Sequence, residues 1–170
     1  MGKDRIEKEN CGRANSTPLS LSLRTVHFDE EGRGTRAAFA YRGLYTEGGE
    51  ECRLLYTEEG EDGAAAEVTL SFKKVTPCVV KLEKNGAVTT AMHFEAGKAF
   101  SASYTVAGLG VLSCEGAVRT VENSLSERGG RLRLDYTLTV GGVYTRTVMT
   151  LEVAPDCAAA ACGEGGAPCR

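Results

Sequence analysis

Apolar and polar residues alternate along most of this chain with a period of two, and the pattern is clearest between residues 131 and 153. Leu132, Leu134, Tyr136, Leu138 and Val140 alternate with Arg131, Arg133, Asp135, Thr137 and Thr139, and Gly141-Gly142 then leads into the β-branched stretch Val143 to Val153. A period of two puts alternate side chains on opposite faces of a strand, and a glycine pair between two such runs predicts a hairpin. With a two-residue turn, Val140 lies opposite Val143, Leu134 opposite Met149, and Arg131 opposite Glu152 on the other face.

The same reading extends upstream. Leu19, Leu21 and Leu23 open a first strand that runs to about Phe28, where Asp29-Glu30-Glu31-Gly32 turns it. A second strand covers Thr35 to Tyr45, a third presents Cys52, Leu54 and Tyr56 on one face, and a fourth presents Val68, Leu70 and Phe72. Asn85-Gly86 predicts a type I′ turn between Cys78–Glu83 and Ala87–Glu95, because both residues tolerate positive φ. Ala96-Gly97 then sets Glu95 opposite Lys98, which places His93 across from Phe100, Ala91 from Ala102 and Thr89 from Tyr104. In this register Met92 and Phe94 face outward. Gly108 and Gly110 bracket a turn before a strand from Val111 to about Val121, and a polar loop through Gly129-Gly130 precedes the closing hairpin.

Ten strands joined in order by short turns, with no capped 3.6-residue apolar period, predict an all-β protein. A meander of this length removes its free edges most directly by closing on itself, so a single antiparallel up-and-down barrel is expected. Residues 1–16 read as a flexible leader, 17–154 as the barrel and 155–170 as a disordered tail rich in Ala and Gly that carries three cysteines.

Charge and cysteine usage narrow the functional classes. The formal net charge is -3, and Lys73-Lys74 is the largest basic cluster, so nucleic acid is not expected as a partner. No apolar run is long enough for a membrane-spanning helix. The densest charge run is acidic, from Glu47 to Asp62 with Arg53 as its one cation. It reads as solvated loops around a short strand, and it lacks the ligand spacing of a calcium-binding EF-hand. Seven cysteines at positions 11, 52, 78, 114, 157, 162 and 169 are irregularly spaced, and the first ten residues lack a signal-peptide apolar stretch, so reduced thiols are expected. Cys157, Cys162 and Cys169 match no usual zinc spacing, and no metal site is expected.

From Thr17 to about Val153 the order and spacing of several motifs resemble the YwiB-like family. They are Thr17-Pro18, Tyr56-x-Glu58, the run from Asn85-Gly86 through Phe94, Gly97 and Tyr104, then Gly110, and Gly130 followed by Tyr136. The resemblance implies a calycin-like, lipocalin-related barrel and a cytoplasmic bacterial setting; it brings no activity with it.

Candidate chemistry is sparse. Of the two histidines, His27 sits in a polar context and reads as a surface residue. His93 falls on the more apolar face, near Phe100 and across from Cys78, where it is either a satisfied buried histidine or half of a Cys/His pair. No catalytic triad, phosphate loop or zinc-protease motif appears, so neither catalytic residues nor a cofactor is expected. Tyr136 shares a face with Thr145 and Thr147, and Thr89 and Tyr104 share one with His93. These six form a candidate band of hydroxyl and imidazole groups among aliphatic walls, as in a ligand cavity. The same groups can instead bond one another in a filled barrel. Three functional classes remain open: holding a small amphipathic molecule inside the barrel; acting through the outer sheet, with Met92 and Phe94, on a partner or a second copy; and, third, an enzyme, for which no constellation of acid, base and nucleophile is visible.

Overall fold

The computed structural model describes residues 15–60 and 62–158 and contains ten strands: β1 (Asn15–Phe28), β2 (Gly34–Gly48), β3 (Glu51–Glu59), β4 (Ala65–Lys73), β5 (Thr76–Gly86), β6 (Val88–Glu95), β7 (Ala99–Val106), β8 (Gly110–Asn123), β9 (Gly130–Val140) and β10 (Val143–Pro155). Each strand pairs antiparallel with its sequence neighbours, and β1 pairs with β10 to close the barrel. The closing ladder runs from Leu19↔Pro155 to Phe28↔Arg146. Asp156 extends it, donating its backbone N–H to the Pro18 carbonyl and lying 3.5 Å from the Arg42 guanidinium. The barrel therefore continues past residue 154, while residues 1–14 of the expected leader and 159–170 of the expected tail, with Cys162 and Cys169, lie outside the described residues.

The final hairpin has the register that its alternation predicts: Val140↔Val143, Leu134↔Met149 and Glu152↔Arg131. Gly141 and Gly142 both take positive φ, 56° and 80°, as a type I′ turn requires. Inward residues of all strands fill the end of the barrel that holds the β2–β3, β4–β5, β6–β7 and β8–β9 connections, here the lower end. Leu19, Tyr45, Leu54, Leu70, Phe94, Leu132, Leu134 and Leu151 are fully buried there or in the middle of the barrel. Phe94 contacts Tyr136 and Phe100, with ring centroids 4.9 and 5.5 Å away. Gly116 is the space these rings need, since a Cβ there would sit 2.4 Å from the Phe100 ring and 2.7 Å from the Thr137 carbonyl oxygen. Leu125, in the β8–β9 loop, is buried under this end, and Asn123 anchors the loop by donating to the Pro77 carbonyl at 2.8 Å.

Two expected registers are not formed. Asn85-Gly86 does not turn the chain, because β5 stays extended against β4 through Glu67↔Asn85 and Ala66↔Gly86, and β5 pairs with β6 as Leu82↔Met92 and Val80↔Phe94. Sheet pairing overrides the local turn preference. At Ala96-Gly97 the Lys98 N–H does reach the Glu95 carbonyl at 3.0 Å, but Gly97 has φ 78° behind an alanine, which suits a type II turn. Type II turns splay their strands, and the β6–β7 ladder forms only at its far end, as Val88↔Val106 and Thr89↔Thr105, one residue out of the expected register. A one-residue slip exchanges faces, so Met92 and Phe94 point inward and His93 points out.

The outer face carries one buried charge. Asp135 accepts two hydrogen bonds from Arg146, at 3.0 and 2.7 Å, and Arg146 also lies over the Phe28 ring. Those hydrogen bonds are the largest cause holding the Asp135 carboxyl below its ordinary pKa. A depressed folded-state value means that the pair stabilises the fold above the unfolded-state pKa and that this share is lost as pH falls through the folded value. Asp135→Asn is accordingly expected to lower stability at neutral pH and to flatten the decline in urea midpoint below about pH 4. An unchanged acid limb in the variant would show that the pair contributes nothing.

Candidate functional site

The upper end of the barrel, where the β1–β2, β3–β4, β5–β6, β7–β8 and β9–β10 connections lie, is not filled. A cavity of about 320 Å³ opens there, lined by His27, Tyr104, Val106, Leu112, Tyr136, Leu138, Val140, Thr145 and Thr147. Each position follows from its strand's alternation. Leu138 and Val140 extend the inward face of Leu132, Leu134 and Tyr136, while Thr145 and Thr147 precede Met149 and Leu151 on β10. His27 extends the face of Leu19, Leu21 and Leu23, and register sets it beside Thr147, where the His27 Nδ1 to Thr147 Oγ1 distance is 2.9 Å.

Four of the six expected site residues, Tyr104, Tyr136, Thr145 and Thr147, therefore share one cavity. Two do not. Thr89 and His93 lie on the outer surface because of the register slip, and the cross-strand neighbour of His93 is Lys81, with Cys78 exposed near the start of β5. Thr89 borders an outer groove with Glu67, Thr69, Glu83, Asn85, Ser103 and Thr105. His27 is exposed, as its sequence context predicts, yet it stands at the rim of this cavity, where His93 was expected. The signal was present, since His27 sits four residues beyond Leu23 on the same face.

Burial is the main influence on the tyrosines of this end. It pushes the Tyr136 phenol well above its usual range, against a smaller opposing pull from the Thr147 hydroxyl. It likewise raises Tyr104, whose hydroxyl points to the Met92 sulfur at 3.8 Å. These phenols stay protonated and can donate or accept at neutral pH, and neither is a base. The apolar wall continues past the mouth along Leu112 and Val143, both of which are exposed.

A charged pair also faces inward at this end. Glu58 continues the face of Cys52, Leu54 and Tyr56, and Lys84 continues that of Val80 and Leu82. Their side chains meet at 2.6 Å, each about one quarter exposed. Among the described residues no three His, Cys, Asp or Glu side chains are grouped as metal ligands.

Comparison with known proteins agrees with this architecture. The crystal structure of the ywiB protein from Bacillus subtilis superposes with a TM-score of 0.73 over 83% of this chain and 93% of that one, at 23% identity. A LolA superfamily protein, NE2245 from Nitrosomonas europaea, aligns over 84% of this chain and 85% of that one at 13% identity, but its TM-score of 0.22 carries no structural argument. No curated protein matches the chain. Residues 21–150 match the family model described as a domain of unknown function, DUF1934, and the chain is a member of that family, with the calycin-like barrel that its resemblance to YwiB-like proteins implies.

Proposed function

We propose that this protein is a binding module that holds one small amphipathic molecule in the upper end of its barrel. The observation that carries the reading is the division of the interior: a lower part packed solid, and an upper cavity of about 320 Å³ with aliphatic walls and a few placed polar groups. Small-molecule sites have this composition, and their volumes start at about 300 Å³. Val106, Leu112, Leu138 and Val140 would take the apolar part, while His27, Thr147 and Tyr136 would meet a polar group. The alternative of docking through Met92 and Phe94 on the outer sheet loses its basis, since both side chains are in the core.

The test is displacement of the uncharged fluorophore N-phenyl-1-naphthylamine by octanol. Val140→Trp, which fills the cavity from its rim, is expected to abolish probe binding while the protein still melts cooperatively. His27→Leu is expected to weaken octanol several-fold, by removing a hydrogen-bond partner at the cavity rim whose net worth is ~0.5–1.5 kcal/mol, and His93→Leu should leave it unchanged. Probe binding that survives Val140→Trp would end the proposal.

A further inference from the structure

We propose, on the strength of that reading, that Glu58 and the aromatic row beside it form the head-group site of the upper cavity, and that the head group it takes is an ammonium.

Ionic groups that face the inside of a barrel lose part of their hydration, and they are weak evidence of a gain in stability. Glu58 and Lys84 nevertheless reach each other across β4 from the strands on either side of it. Register puts Glu58 beside Ala66 and Lys84 beside Val68, so the small Ala66 side chain leaves the space in which they meet. Lys84 is already an ammonium resting on this carboxylate, and the contact shows what chemistry the position accepts. Lys84 lies near the end of β5 at the open end of the barrel and is about one quarter exposed, so its flexible stem can swing toward solvent when a ligand cation arrives.

The surroundings of Glu58 favour a cation over an anion. β2 pairs with β3 only from Gly43↔Tyr56 downward, so above that level the β2 residues Phe39 and Tyr41 stand free of the β3 ladder. Their rings are parallel within 18° at 6.0 Å, and Tyr41 lies 5.3 Å from Tyr56. The Tyr56 hydroxyl is 3.5 Å from the Glu58 carboxylate. Aromatic faces next to a carboxylate attract cations through the ring quadrupole and the full charge together. Burial is the main cause that raises the phenols of Tyr41, Tyr56, Tyr104 and Tyr136, and the negative charge of Glu58 adds to it. Glu58 faces the interior at the same end of the barrel as the cavity but is not part of its lining, so an alkyl chain held by Tyr104 and Tyr136 would extend its charged end across that open end to meet the carboxylate.

Octylammonium, octyl sulfate and octanol, each titrated against the bound naphthylamine probe, separate the outcomes. Octylammonium is expected to bind at least tenfold more tightly than octyl sulfate. Glu58→Gln should remove that preference and leave octanol unaffected, and Lys84→Met should strengthen octylammonium about threefold or more by freeing the carboxylate. The two variants thus move affinity in opposite directions, which a general loss of folding cannot do. Octyl sulfate as the preferred ligand, weakened by Lys84→Met, would overturn the proposal, as would equal affinity for the three compounds in all variants. If octanol and the probe bind and only the charge dependence fails, the cavity reading stands without this one; if neither binds, both fall.

Discussion

Leu134→Asp is expected to leave no cooperatively folded protein at 25 °C, whereas Arg133→Asp, one position away, should shift the melting temperature by only a few degrees. Leu134 is fully buried at the middle of β9, against Met149 on β10 and Val121 on β8. Removing such a side chain costs about 3–5 kcal/mol, and a carboxylate in its place adds the penalty of an unpaired buried charge. A domain with a total stability of about 5–15 kcal/mol does not survive the sum. Arg133 faces out and stands 3.8 Å from Glu122 in a loose pair, a kind of contact worth little. Similar losses in the two variants would refute the assignment of faces on β9.

Gly86→Ala is expected to cost about 3 kcal/mol, and Gly86→Asn no less. In a type I′ turn asparagine would be nearly as good as glycine and alanine only mildly worse. The structure imposes a different requirement. Gly86 has φ 145°, and a Cβ on it would fall 2.3 Å from the Ala65 carbonyl oxygen and 2.9 Å from the Ala66 Cα, backbone atoms that cannot rotate away. Urea midpoints for both variants distinguish the two: an asparagine variant close to the native midpoint would restore the turn and overturn the β4–β5 pairing.

That contrast marks where sequence stops specifying position. Strands β9 and β10 were legible down to single pairs because a glycine pair with positive φ at both positions leaves one register, and strict alternation agrees with it. The faces of β1, β3, β4 and β5 were legible from their alternation alone. At β6 the alternation itself is ambiguous: Thr90, Met92 and Phe94 on one face, Thr89, Ala91 and His93 on the other, neither polar enough to exclude it from the core. The choice then rested on two turns, and a local turn signal yielded to long-range pairing at Gly86 and to strand splay at Gly97. His93 and Thr89 left the candidate site for that reason. Glu58 entered it through an opposite error, since it was read with the solvated acidic run although its period of two continues inward; His27 is exposed as read and reaches the cavity at its rim, and Lys84 lay just past the expected end of its strand. Four of the six candidate residues lay on faces fixed by other strands and came together as expected.

The interrupted β6–β7 ladder has a mechanical consequence. Every other joint of the barrel is secured by a longer run of pairs, ten of them at β1–β10 where the closing strands meet, so the weakest joint lies in mid-chain. Thr90, just below the two pairs, is buried with a hydroxyl that has no partner among the described residues. Parting at this joint would unroll the barrel into one curved sheet whose two new edges are β6 and β7, exposing Phe94, Phe100 and the backbone groups that a neighbouring copy could pair with. The hazard of aggregation in this protein thus sits at a seam between sequence neighbours, and the aromatic contact of Phe94 with Phe100 across it acts as the clasp.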